Sequence, residues 1–226
     1  MFKSIVLLSG GLDSLVSLAL TKKEYNVTLA LTFDYGQKAV LQEIDASKKI
    51  CEFYNIEHKV INLDWLKDIT QTALVSEQDI PFTSLNDLTS NDFVKKSAAC
   101  VWVPNRNGVF LNIAAAFADS YEYAYIIFGA NKEEGQTFPD NTQDFIDRIN
   151  DSFKFSTQVK PQVFAPLINL TKNDIVKKGL EHCIPLEFTR SCYSTKEKHC
   201  GTCESCMRLK RALEKNDCTE IIKELF

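Results

Sequence analysis

The sequence predicts a doubly wound α/β fold: a mainly parallel sheet with helices on both faces, followed by a C-terminal helical segment stapled by metal. Three observations predict it. Short β-rich apolar runs alternate with stretches of helical periodicity. A glycine turn, Ser9-Gly10-Gly11-Leu12-Asp13-Ser14, joins the first run to the first helix. Four cysteines lie close together near the end, at Cys192, Cys200, Cys203 and Cys206. Strands separated by helices imply βαβ units, and ligands of such sheets sit at the carboxyl ends of the strands.

The elements follow in order. Ile5 to Leu8 is a strand, and Leu12, Leu15, Val16 and Ala19 fall at helical spacing after it. Val27 to Phe33 is a second strand, ending at Asp34-Tyr35-Gly36-Gln37. Val40, Ile44, Cys51 and Tyr54 share one helical face. Lys59 to Leu63 reads as a third strand, and Asp64 to Ile69 as one helical turn or two. Regularity fades from Ser76 to Asn107, where Pro81 and Pro104 interrupt it, although Asn91 to Ala99 has helical character. A stretch of this length is more often a functional lid than an idle loop. Phe110, Ile113, Ala114 and Phe117 resume a helix. Ala124 to Phe128 is a fourth strand stopped by Gly129, Phe145 to Phe153 a helix, and Val163 to Ala165 a short last strand. Thr171-Lys172-Asn173-Asp174 has the form of a capping box opening a further helix.

The glycine turn carries chemistry. Two glycines let the backbone bend and approach a ligand closely. The helix start offers unpaired N–H groups and a positive dipole end, which together favour an anion. No Gly-Lys-Ser/Thr follows, so the stretch is not a Walker loop, and no third glycine completes a dinucleotide fingerprint. A capped strand-to-helix turn without ligand is the plain alternative.

Composition bounds the rest. A chain of 226 residues with 45% hydrophobic residues can bury one sizeable core. A net charge of −4 gives no support for broad binding to nucleic acid. No secretory signal is visible, and Asn112, Asp119 and Glu122 interrupt the apolar stretch from Val109 to Ala130, so no membrane span is expected there. A cytoplasmic location follows, where eight cysteines point to metal or catalysis before disulfides. The spacing C-x7-C-x2-C-x2-C fits a closed four-thiolate zinc site. An iron–sulfur cluster is the rival, but the following cysteine and proline of a ferredoxin run are missing. His199 is a possible substitute ligand. Arg208, Lys210 and Arg211 stand where they can offset the negative charge of the thiolates, and Cys51, Cys100 and Cys183 read as buried small hydrophobes.

The SGGLDS string resembles the pyrophosphate loop of the ATP pyrophosphatases, whose fold is of the adenine nucleotide α-hydrolase kind. With Phe33-Asp34-Tyr35-Gly36-Gln37, Val103-Pro104-Asn105-Arg106-Asn107, Phe138-Pro139-Asp140, Ser191-Cys192-Tyr193 and the later cysteines, the chain resembles the 7-cyano-7-deazaguanine synthases nearly end to end. That resemblance implies a ligase that turns 7-carboxy-7-deazaguanine and ammonia into the nitrile. It also implies ATP with magnesium, one structural zinc per chain and a homodimer. The expected division is a nucleotide-binding unit over 1–185 and a zinc segment over 186–226. Two departures stand near the expected pocket: Asn141 where the family usually has cysteine, and Lys38-Ala39 where a basic pair with histidine is common.

The resemblance also implies roles. Ser9, Asp13, Arg106 and Lys172 form the catalytic set. Leu8, Ser9, Gly10, Gly11, Leu12, Asp13, Ser14, Asp34 and Gly129 hold ATP, and Tyr35, Gln37, Asn107 and Asp140 hold the other substrate. Alternatives remain beside these: Asp13 positions magnesium or caps its helix, Asp34 binds ribose or magnesium or shapes a turn, and Asn107 touches substrate or caps the next helix. Arg106 is a planar fork suited to carboxylate or phosphate, or a surface ion-pair partner. Lys172 reaches phosphate or is merely solvated. Two other functions compete: a relative that adenylates another substrate, by amide formation or transfer of sulfur to tRNA, and a zinc-stapled regulatory module without catalysis.

Overall fold

The computed structural model describes residues 2–226. Five strands, β1 (Ser4–Leu7), β2 (Val27–Asp34), β3 (Glu57–Asn62), β4 (Tyr125–Ile127) and β5 (Gln162–Phe164), form one sheet in the order β3-β2-β1-β4-β5. Every pairing is parallel. The helices are α1 (Leu12–Thr21), α2 (Val40–Tyr54), α3 (Asp64–Asp68), α4 (Asn91–Val101), α5 (Arg106–Tyr121), α6 (Lys132–Gly135), α7 (Gln143–Ser156), α8 (Lys172–Glu181), α9 (Glu204–Lys215) and α10 (Thr219–Leu225). The expected doubly wound architecture is present.

The period-two alternation of a strand explains why helices cover both faces. Ile5 and Leu7 point into one core with Leu29, Leu31, Leu111 and Phe153. Val6 and Leu8 point into the other with Leu15, Ile50, Ile175 and Leu209. All four residues of β1 are buried, as expected of a central parallel strand. On α9, Leu209, Ala212 and Leu213 recur at helical spacing and bury against this second core. Each buried leucine there contributes about 1.5–3 kcal/mol, so the C-terminal segment is held by apolar packing as well as by its cysteines.

Strand limits differ from the sequence expectation by one or two residues, the ordinary uncertainty of fraying ends. The irregular stretch contains α4, and its flanks reach the core through Leu74, Val101 and Val103. Thr83 N–H donates to the Thr202 carbonyl at 2.8 Å, tying this stretch to the cysteine loop. The capping box is formed: Thr171 accepts from the Asp174 N–H and Asp174 accepts from that of Thr171. Cys51 is buried, but Cys100 and Cys183 are exposed, correcting the expectation for those two. Cys183 follows α8 in a left-handed turn with φ 50°, which takes it off the buried helical face. Among the described residues, no helix is long and apolar enough to cross a membrane.

Candidate active site and cysteine centre

The sheet order reverses direction between β1 and β4, and the loops leaving these two strands diverge to open a cleft of about 220 Å³. The turn after β1 forms its floor. Gly10 has φ +74°, and a β-carbon there would stand 2.8 Å from the Ala46 β-carbon, so only glycine fits. Gly11 is extended instead, with φ −74° and ψ 162°, and no side chain caps α1 after it. The α1 N-terminus is left open for an anion. Ser14 Oγ donates to the Gly11 carbonyl at 3.0 Å, and Gly11 N–H donates to Ser9 Oγ at 3.4 Å. Arg190 N–H holds the Gly10 carbonyl at 2.7 Å.

Asp13 does not cap α1. Its carboxylate forms an ion pair with the ammonium of Lys172, at the first residue of α8. Lys172 Nζ also meets Glu134 Oε1 at 2.9 Å. Asn131 donates to Asp13 Oδ2 at 3.2 Å while capping α6. Burial opposes the charge on Lys172, but Asp13 and Glu134 outweigh it and raise its pKa. Burial likewise opposes ionisation of Glu134, and Lys172 overcomes it, holding that carboxyl below its ordinary value. For Asp13 burial wins over the pull of Lys172, and its pKa rises to about 6. Two carboxylates therefore face one ammonium, and Asp13 Oδ1 is buried without a hydrogen-bond partner. An orphaned carboxylate oxygen in a negatively biased corner fits a hard divalent cation such as magnesium.

The opposite wall is aromatic. Phe33 and Phe110 stack with ring centres 4.0 Å apart. Arg106 Nη1 donates to Tyr35 Oη at 3.3 Å, and its guanidinium lies 6.0 Å from that ring centre. Arg106 lines the cleft, so the surface ion-pair alternative does not hold. Gln37 accepts from Tyr35 N–H at 3.0 Å and donates to the Phe33 carbonyl at 2.9 Å and to Glu43 Oε2 at 2.8 Å. Burial pushes Glu43 up to about 7, despite the Gln37 bond.

Of the residues expected here, Leu8, Ser9, Gly11, Leu12, Asp13 and Ser14 line the cleft, and so do Tyr35, Gln37, Arg106, Asn107, Gly129 and Lys172. Gly10, Asp34 and Asp140 do not. Gly10 faces α2, and Asp34 accepts the Gly36 N–H at 3.0 Å, a turn-shaping bond. Asn141 lines the wall where Asp140 was expected, and binds Asp140 Oδ1 at 3.2 Å. Asn107 does not cap α5: Asn105 occupies that place with φ 51°, and Asn107 donates to the Asp140 carbonyl at 3.4 Å. Sequence reasoning placed the segment Gly129 to Glu134 at the carboxyl ends of the strands without singling out Asn131 or Glu134, and it missed Glu43, Arg190 and Tyr193. Only Asn131 carried a signal, as a capping residue ahead of Lys132-Glu133-Glu134.

The four cysteines converge, with all sulfurs within 4.8 Å of one another. Cys200 and Cys206 sulfurs are 3.8 Å apart. A tetrahedron of thiolates about 2.3 Å from zinc has edges of about 3.8 Å, so the set fits that ion. Backbone N–H groups of Ser194 and Cys200 point at the Cys192 sulfur, each at 3.3 Å, and support its thiolate form. His199 is not a ligand: Nε2 accepts from Ser191 N–H at 3.0 Å, and Nδ1 donates to the Leu225 carbonyl at 3.2 Å. Arg208 and Arg211 pair with Glu133 and Glu204 rather than with the cysteines.

Residues 3–217 match the family model described as queuosine biosynthesis protein QueC. A curated relative from Methanosarcina barkeri, named 7-cyano-7-deazaguanine synthase, is 47% identical over 216 residues, covering 94% of each chain. One of the same name from Carboxydothermus hydrogenoformans is 52% identical over 213 residues, covering 94% of this chain and 98% of its own. Among solved structures, NMN synthetase from Francisella tularensis is similar with a TM-score of 0.48 and 17% identity, over 96% of this chain and 77% of that one. With a match across nearly the whole chain and relatives about half identical to it, the protein belongs to the QueC family of queuosine biosynthesis proteins.

Proposed function

We propose that this protein is an ATP-dependent ligase that converts 7-carboxy-7-deazaguanine and ammonia to 7-cyano-7-deazaguanine. One observation carries the reading: an open helix N-terminus, a buried lysine between two carboxylates and a guanidinium fork all face a single cleft. The substrate assignment follows the name of the relatives.

A carboxylate becomes a nitrile only by losing both oxygens, and neither oxide nor hydroxide leaves readily near neutral pH. Adenylation turns each oxygen into part of a good leaving group. The carboxylate attacks the α-phosphorus of ATP and pyrophosphate departs. Ammonia displaces AMP to give the primary amide. The amide oxygen is adenylated in turn, and loss of the second AMP leaves the nitrile. The N–H groups at the start of α1 meet the negative charge that builds on the departing pyrophosphate. Ser9 and Ser14 hold the loop in shape, and Lys172 adds a fixed positive charge beside it. Arg106 orients the carboxylate through its planar fork. Tyr35, Gln37 and Asn107 shape the wall on the substrate side, and Leu8, Leu12 and Gly129 make room for the nucleotide.

Magnesium would be held through Asp13 and would neutralise phosphate charge. Zinc would be held by Cys192, Cys200, Cys203 and Cys206, structural in role because four thiolates leave no open position. The division at 1–185 and 186–226, a homodimer, a cytoplasmic location and the absence of a nucleic-acid partner belong to the same proposal. The last is supported by the acidic balance of the chain.

The test is incubation with ATP, magnesium, ammonia and the carboxylate, followed by mass analysis of every product. Appearance of the nitrile is expected. ATP consumption without amide or nitrile would contradict the reading.

A further inference from the structure

Glu133 does not line the cleft, and the reaction above makes no use of it. It sits on the single turn α6 beside Glu134. Its Oε1 accepts the backbone N–H of Lys172 at 2.9 Å, one of the N–H groups that α8 itself leaves unpaired. Its Oε2 accepts from Arg208 Nη1 at 3.1 Å and Arg211 Nη2 at 2.6 Å. Both arginines lie on α9, which opens at Cys203 and carries Cys206. Arg208 is further locked by Glu204 Oε1, at 2.7 and 3.0 Å.

Two successive carboxylates thus address one lysine: Glu133 holds its main chain and Glu134 its ammonium. The charged groups are largely buried, Glu133 at 16% and Arg208 at 12% side-chain exposure, so the charge-assisted bonds are shielded from water. Asn216, at the end of α9, also reaches Asn173 Oδ1 at 3.0 Å. Glu133 differs from that contact in being charged and in joining α9 to the turn that carries Glu134.

We propose that Glu133 is a positioning residue linking the cysteine cluster to Lys172, so that metal binding at the cysteines fixes the place of the lysine in the cleft. This rests on the reading of the cleft as an ATP-splitting site. Without metal, the start of α9 loses its anchor, Arg208 and Arg211 lose their register, and Glu133 no longer holds the first turn of α8. The ammonium of Lys172 then drifts from the site of pyrophosphate departure.

The test uses the metal-loaded full chain and pyrophosphate–ATP exchange driven by the carboxylate without ammonia. Glu133→Gln keeps an acceptor for the Lys172 N–H but removes the charge that holds the arginines. Glu133→Ala removes both. The kcat of exchange should fall about 10-fold in the first and about 100-fold in the second, with KM for ATP changed by about twofold or less, because positioning of reacting groups is lost rather than binding. A second readout is the rate at which acetic anhydride labels Lys172, followed by peptide mass analysis. Labelling should rise several-fold in both variants, and in the wild type once the metal is chelated. Chelation should add nothing in Glu133→Ala, where the link is already cut. Wild-type exchange in both variants, or an equal rise on chelation in wild type and Glu133→Ala, would overturn the proposal. Absence of exchange in the wild type would instead overturn the reading of the cleft, and this proposal with it.

Discussion

Gly129, just beyond β4, lies against Ser14 in the first turn of α1: a β-carbon on Gly129 would stand 3.0 Å from the Ser14 amide nitrogen. The contact arises because β4 pairs directly with β1, which brings two loops distant in sequence together at the carboxyl edge of the sheet. Gly129→Val should therefore press on the anion-binding turn. Affinity for ATP, measured by calorimetry, should fall about tenfold or more, the loss expected when about 1.4 kcal/mol of binding is removed. Unchanged affinity would place the nucleotide elsewhere.

The two adjacent glycines of the turn should behave differently. Gly10 needs a positive φ and has no room for a side chain, so Gly10→Ala should destabilise the fold by about 2 kcal/mol or more. A β-carbon on Gly11 meets only Ser9 Oγ at 3.3 Å and the Arg190 carbonyl at 3.8 Å. Gly11→Val should stay folded yet lose turnover, because the side chain projects where the backbone must approach phosphate. Chemical denaturation and turnover together separate the two effects.

Glu43 makes a pH prediction. Its folded-state pKa is raised from 4.5 to about 7 by burial, so between these values the folded chain binds a proton that the unfolded chain does not. Stability from this group is therefore lost as pH rises from about 4.5 to 7. Glu43→Gln removes the titration. Its stability relative to wild type should grow across that window by about 3 kcal/mol and level off above it. A difference that stays flat with pH would contradict the assigned environment.

Metal analysis should find one zinc per chain in colourless protein. Cys203→Ser should lose that zinc and loosen the cysteine loop and the first turn of α9, since metal binding and local folding are coupled, while Leu209, Ala212 and Leu213 keep the rest of the helix packed. Hydrogen exchange over residues 192–208 reads the loss directly. Iron with labile sulfide would contradict the zinc assignment.

The sheet was legible because central parallel strands are apolar runs with few alternatives. The Ser9–Ser14 turn and the cysteine spacing were legible because each confines its chemistry to one short string. Glu43 was not, and Glu134 was legible only as the end of the segment Gly129 to Glu134, not as a partner of Lys172. Glu43 occupies a polar place on an amphipathic helix, and only the fold brings Gln37 to its carboxylate and sets Arg106 and Arg190 near it. Glu134 reaches Lys172 only because α6 and α8 meet beside the loop after β4. Asn107 lines the cleft as expected, and only its capping alternative fails, because Asn105 takes the left-handed turn ahead of α5 two residues earlier. Asp140 was expected in the pocket from the resemblance of Phe138-Pro139-Asp140, while the bend at Pro139–Asn141 puts Asn141 in the cleft wall instead.

The central claim is two successive adenylations in one cleft, and product stoichiometry tests it most directly. AMP, pyrophosphate, amide and nitrile should be counted through a single time course. Two AMP and two pyrophosphates are expected per nitrile, with the amide appearing early and accepted as a substrate when supplied alone. ADP and phosphate in place of AMP and pyrophosphate would contradict the assignment of the anion-binding turn. A reaction that halts at the amide after one AMP would make the chain an amide-forming relative. Asn141, in the wall of the cleft, is then the first residue to change, by asking whether Asn141→Cys restores the second step.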